Sequence, residues 1–211
     1  ALADLRLAAN HPIAGPAIPG IFPDGRLERA LYWDPSGRIS VRRMDDGSEI
    51  CSLPGKGYDG SAWFSPDARF VAAIDDQLRY CVWNVEGPKA VKHLDAEQGL
   101  FEFSPDSRQV ANYSNGKLTI FDLVTRQPIQ KIPLRQTPRH AVFHPTLPRI
   151  AVTMDRTVEL FDVATAASLE QFQLPARVDS LAWHPTGTHL AAGTGPDQQV
   201  HIWNMAEKCI V

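Results

Sequence analysis

The 211 residues include no run of four or more like charges, and the formal net charge is −3. The basic footprint that a phosphate backbone demands is therefore missing, and nucleic acid is not an expected partner. Uninterrupted apolar runs are a few residues long, far short of the roughly 20 that cross a bilayer as a helix, so no membrane partner is expected. The 3 cysteines, Cys51, Cys81 and Cys209, are odd in number and form no C-x-x-C. That spacing argues against a disulfide framework or a structural zinc, and a reducing, cytoplasmic setting is expected. Residues 1–10 lack the basic-then-apolar order of a secretory signal. There is no Gly-x-Ser-x-Gly elbow, so no nucleophilic triad can be named. Gly55-Lys56-Gly57 and Gly193-Thr194-Gly195 lie between expected strands, not at a helix start, and read as turns, not phosphate cradles. No cofactor or metal is expected.

What is present is a repeat. Phe64-Ser65-Pro66-Asp67 returns as Phe103-Ser104-Pro105-Asp106, then as Phe143-His144-Pro145-Thr146 and Trp183-His184-Pro185-Thr186, with the prolines 39, 40 and 40 residues apart. A fixed period of about 40 residues marks stacked copies of one supersecondary unit. Residues 1–21, punctuated by Pro12, Gly15 and Pro16, read as a lead-in or part of a preceding strand, with room for a short helix over 3–9. Units of short strands and tight turns follow at 22–54, 61–94, 100–132, 140–172 and 180–211. A second landmark recurs after each proline: Val82-Trp83-Asn84, Ile120-Phe121-Asp122, Leu160-Phe161-Asp162 and Ile202-Trp203-Asn204. An apolar residue, an aromatic and then Asp or Asn suit a buried strand end followed by a side chain that bonds the turn backbone. In the first unit the slot holds Val41-Arg42-Arg43.

The pairing of Phe-Ser-Pro-Asp on one strand with a Trp-Asp-like dipeptide on a later one resembles the WD-repeat (WD40) β-propellers, over residues 22–211. The resemblance implies an all-β fold of four-stranded antiparallel blades, about five in this chain, closed by themselves or forming part of a seven-bladed ring. Blade packing is expected to rest on Phe64, Phe103, Phe143 and Trp183 together with Trp83, Phe121, Phe161 and Trp203.

Propeller geometry, as the resemblance implies it, places the turns after the first and third strands on one face and the remaining loops on the face that recognises partners. The partner-binding candidates are then Lys56, Tyr58, Asp75, Asp76, Glu97, Asn115, Lys117, Arg135, Arg139, Asp155, Arg156, Arg177, Asp179 and Asp197. Their mixed sign suggests a polar contact.

Other constellations are weak. His144 and His184 occupy one slot of adjacent repeats, too far apart to share a metal, and read as turn residues standing in for Ser. His189 and His201 flank the Gly195–Gln198 turn as expected cross-strand neighbours, without a carboxylate or thiolate to complete a site. Cys51 and Cys81 fall in strands and read as buried fillers. A channel hydrolase would draw on Glu102, His140 and Asp179, which alternate along the inner strands or sit at their ends.

The expected function is a non-enzymatic scaffold presenting loop residues to a protein or peptide. The alternative is a regulatory or sensor segment of a larger enzyme, such as a bacterial protein kinase or peptidase. An array of five blades that is not closed exposes apolar blade faces, so self-association or complementation by further blades is expected.

Overall fold

A computed structural model describes residues 21–34, 36–56, 62–74, 80–86, 90–94, 101–195 and 197–210. The helix expected over 3–9, Tyr58, Asp75, Asp76 and Glu97 lie outside the described residues. So do the side chains of Lys56 and His93.

The described chain is all-β, and each expected unit forms one antiparallel sheet whose strands follow in chain order. The first sheet holds β1 (Ile21–Pro23), β2 (Arg29–Trp33), β3 (Arg38–Arg43) and β4 (Glu49–Lys56). The second holds β5 (Ala62–Phe64), β6 (Phe70–Ile74), β7 (Tyr80–Asn84) and β8 (Ala90–Leu94). The third holds β9 (Phe101–Phe103), β10 (Gln109–Ser114), β11 (Lys117–Asp122) and β12 (Pro128–Pro133). The fourth holds β13 (Ala141–Phe143), β14 (Arg149–Met154), β15 (Thr157–Asp162) and β16 (Ser168–Gln173). The fifth holds β17 (Val178–Trp183), β18 (His189–Thr194), β19 (Gln199–Asn204) and β20 (Cys209–Ile210).

The second strand of a unit reads as a continuous apolar run because both its faces are covered. Ile150, Ala151, Val152 and Thr153 of β14 are all fully buried, as are Val71, Ala72 and Ala73 of β6. Four clusters join consecutive sheets. Leu31, Ile39 and Val41 pack on Val71 and Trp83; Ala72 and Val82 on Phe101 and Phe103. Ile120 and Ile132 pack on Ile150 and Phe161, and Leu160 and Phe172 on Leu190 and Ala192. Among the described residues none of these clusters joins the first sheet to the fifth.

The expected packing aromatics divide. Trp83, Phe103, Phe143 and Phe161 are buried, whereas Phe64, Phe121, Trp183 and Trp203 are half-buried. Cys81 is buried and Cys51 half-buried, both as free thiols, and burial pushes the Cys51 thiol up.

A hydrogen bond supplements apolar packing at each junction. Arg29 Nη1 donates to the Ala68 carbonyl (3.1 Å), and the Asp67 N–H donates to Ser107 Oγ (3.1 Å). Gln130 Nε2 donates to the Ala164 carbonyl (2.7 Å), and Trp183 Nε1 to the Val142 carbonyl (3.3 Å).

Candidate functional site

Backbone hydrogen bonds sort the loops into two sets. The Val85, Leu123, Val163 and Met205 N–H groups, just past each third strand, donate to the carbonyls of Arg69, Arg108, Pro148 and Thr188 in the turn after the first strand. The landmark motifs lie in this set, and their polar residues hold turns. Ser65 Oγ, on a side chain that is 1% exposed, accepts the Phe70 N–H and donates to Asp67, whose Oδ1 accepts the Arg69 N–H. Desolvation opposes ionisation of Asp67, but bonds from Arg69, Ser65 and Ser107 outweigh it and hold the carboxyl below its ordinary range. Ser104 and Asp106 repeat the arrangement. Asp122 Oδ1 accepts the N–H groups of Val124 and Thr125, Asp162 those of Ala164 and Thr165, and Asn204 those of Ala206 and Glu207.

His144 fills the Ser slot of the fourth unit and does more than replace it. Its Nδ1 accepts the Thr146 and Leu147 N–H groups, so the proton sits on Nε2, which donates to the Gly187 carbonyl of the next unit (3.2 Å). The ring meets Trp183 edge-on at 4.6 Å. Burial lowers the His144 pKa, partly offset by the Gly187 bond, and Arg149 lowers it further.

The second set of loops carries the candidate partner-binding residues. The Leu134 N–H donates to the Gly116 carbonyl and the Leu174 N–H to that of Arg156, fastening the last two linkers to the hairpin turn of the unit before each. The Val178 and Gly195 N–H groups extend the network to the Asp155 and Arg177 carbonyls. Asn115, Lys117, Arg135, Arg139, Asp155, Arg156, Arg177 and Asp197 are all exposed on these loops, and Asp179 is half-buried among them. Asn115, Asp155 and Gln198 adopt positive φ (51°, 54° and 54°), the left-handed conformation of tight hairpin turns.

Asp179 organises this surface. Its Oδ1 lies 3.0 Å from Arg177 Nε and 3.9 Å from Arg139 Nη1, so one carboxylate serves guanidiniums from two successive linkers. A Cβ at Gly195 would overlap the Asp179 carboxylate, which would have to shift. Likewise a Cβ at Gly193 would meet Ser180 Oγ, so Gly193 and Gly195 serve close packing in strand and turn. Asp197 accepts the Thr194 hydroxyl, which lowers its pKa. Among the described residues the side chains of Arg135 and Arg156 have no ion-pair or hydrogen-bond partner.

The structure corrects several sequence expectations: Gly55 and Lys56 end β4 and Gly193 and Thr194 end β18 rather than forming turns, and Cys51 is half-buried rather than a buried filler. His189 and His201 are not cross-strand neighbours: the register pairs His189 with Asn204 and His201 with Ala192. Strand alternation places His201 on the face toward the fourth sheet and His189 on the opposite one. Among the described residues no group of three His, Cys, Asp or Glu side chains converges. Glu102, His140 and Asp179 stay separate. Asp179 is engaged by arginines, and His140 bonds β14 through its backbone, its N–H donating to Thr153 Oγ1 (2.9 Å). Glu102, central on β9 opposite Ala111, is a half-buried acid whose burial pushes its pKa up to about 7.

Three features escape a sequence reading: the shared role of Asp179, the interblade bond of His144 and the isolation of Glu102. For Asp179 the signal was Gly195, since a glycine opposite an acid marks close approach.

The family model described as "WD domain, G-beta repeat" matches residues 169–204. That span runs from β16 of the fourth sheet to the end of β19 of the fifth. The chain is also similar to the Danio rerio protein "Activating molecule in BECN1-regulated autophagy protein 1A". The two are 26% identical over 172 residues, covering 79% of this chain and 13% of that relative's length. Residues 169–204, which span the last strand of the fourth sheet and the first three of the fifth and so about one period of the chain, carry a WD40 repeat.

Proposed function

We propose that the chain is a non-catalytic interaction module which presents the loops around Asp179 to a protein or peptide. WD40 domains typically act in protein interactions. The observation that carries the reading is the convergence of Arg139 and Arg177, from two successive linkers, on the Asp179 carboxylate, with the exposed side chains of Arg135 and Arg156 on the same set of loops unpartnered among the described residues. Exposed polar residues without a structural role on rigid supports are where recognition is found.

The test is site-specific photo-crosslinking in cells. A crosslinking amino acid at Lys117, Asp155 or Gln198 is expected to trap one discrete protein, and the same group at Arg26, Pro105 or Ala164 to trap none. Equal labelling from both loop sets would overturn the reading.

A second interaction surface is favoured by a specific observation. In the fourth sheet Val158 is 1% and Leu160 0% exposed beneath the fifth; their counterparts in the fifth sheet, Val200 and Ile202, are 68% and 40% exposed. This face takes a further four-stranded blade, supplied by more chain or by another copy. Light scattering of the 211-residue chain is expected to show association that Val200→Asp with Ile202→Asp abolishes. A monodisperse wild-type monomer would sink this second reading.

A further inference from the structure

We infer that the partner segment recognised by the loops of the third to fifth sheets is acidic, its carboxylates bound by Arg135, Arg139, Arg156 and Arg177. This rests on the interaction reading above and adds the chemistry of the partner.

Arg139 and Arg177 come from consecutive linkers and share one carboxylate, that of Asp179. One acid cannot cancel two guanidiniums, so a positive charge and several N–H donors remain beside Asp179, with Arg177 hydrogen-bonded through Nε and Nη2 and Arg139 at ion-pair distance. Guanidinium forks match a carboxylate bidentately. Arg135 lies on the same linker as Arg139, and Arg156 on the turn whose carbonyl binds the next linker. The side chains of both are exposed and have no partner among the described residues. Lys117 extends the cationic surface to the third sheet. The acids on these loops, Asp155, Asp179 and Asp197, offset it only in part, being fewer than the four arginines and Lys117.

Two features separate a short acidic peptide from other anions. The chain as a whole is negative, so the positive field is local. A long polyanion gains little from it. Asp179, within the cluster, repels a phosphate dianion more strongly than a carboxylate.

Fluorescence anisotropy with three fluorescein-labelled 12-residue peptides tests this, carrying alternating Glu, Gln or phosphoserine in an otherwise identical Gly/Ser frame. The Glu peptide is expected to bind about tenfold or more tightly than the Gln peptide, weakening as salt screens the contact. Arg135→Glu with Arg156→Glu is expected to reduce that affinity by about tenfold or more. Arg26→Glu with Arg108→Glu, on the other loop set, is expected to change it by less than about twofold. Each variant is first checked for an unchanged melting curve.

Equal binding of the Glu and Gln peptides, no binding of either, binding of the phosphoserine peptide alone, or an equal loss from the opposite-face pair would each overturn the acidic assignment. The photo-crosslinking result is independent of charge. A discrete crosslink from Lys117 or Asp155 with no preference for the Glu peptide would therefore sink this inference and leave the interaction module standing.

Discussion

Glu102 and His144 pull the pH dependence of stability in opposite directions. Burial raises the Glu102 pKa to about 7 from an ordinary 4.5. The folded state thus holds a proton that the unfolded chain releases, and the associated stability is full below about pH 4.5 and is lost as pH rises toward 7. His144 is the reverse: its pKa is depressed below the ordinary 6.5 by burial, so its contribution is present above 6.5 and is lost as pH falls below it. Protonation would also end the acceptance of the Thr146 and Leu147 N–H groups by Nδ1. Between pH 7 and 5 the two slopes offset each other, and each substitution uncovers the other's. Glu102→Gln is expected to stabilise the chain at pH 8 by on the order of 1–3 kcal/mol and to leave a melting temperature that drops from pH 7 to pH 5. In His144→Ser that drop is expected to shrink or change sign. Thermal melts at pH 5, 6, 7 and 8 measure both, and parallel curves for the three proteins would refute the assignment.

The elements were legible from the sequence because their landmarks act locally. Proline and the flanking Ser and Asp dictate the turn, and the Asp or Asn after Trp83, Phe121, Phe161 and Trp203 bonds N–H groups two or three residues on. A one-dimensional pattern carries such short-range chemistry in full. Contacts between units are not written that way. Ser107 appears as an unremarkable residue after Pro-Asp, yet it is 1% exposed, adopts a φ of 57° and accepts the Asp67 N–H from a position 40 residues away. Gly187, at a φ of 73°, yields the space that the His144 ring occupies. Neither role is visible until neighbouring units are stacked. The same holds for the candidate surface: its residues were named from loop positions, whereas the sharing of Asp179 by Arg139 and Arg177 depends on how two linkers meet. At this scale Ser107→Ala is expected to cost about 1–3 kcal/mol by leaving the Asp67 N–H unpaired. Gly187→Ala is expected to cost about 2 kcal/mol or more through overlap with His144 and an unfavourable φ. Urea denaturation reports both, and a change under about 0.5 kcal/mol, the range of ordinary surface substitutions, would contradict the roles given.

For the whole molecule, the repeat period set the number of units, but the period says nothing about which sheet faces are covered. Burial supplies that. Leu160 and Ile202 occupy corresponding places in β15 and β19, opposite Ala151 and Ala191, and their sequence contexts, Leu160-Phe161-Asp162 and Ile202-Trp203-Asn204, are nearly interchangeable. One is 0% exposed and the other 40%. The same truncation should therefore have different consequences at the two sites. Leu160→Ala removes a side chain enclosed between the fourth and fifth sheets, and is expected to cost about 2–5 kcal/mol. Ile202→Ala in the dilute 211-residue chain removes one that still meets water, and is expected to cost less than about 1 kcal/mol. If a further blade covers the fifth sheet, the Ile202→Ala cost should rise toward that of Leu160→Ala under conditions where the chain is associated, because only then is the side chain enclosed. Urea melts of both variants at two protein concentrations decide the matter. A large Ile202→Ala penalty in the monomer would mean that this face is already covered within the chain. A small one at every concentration would mean that nothing covers it.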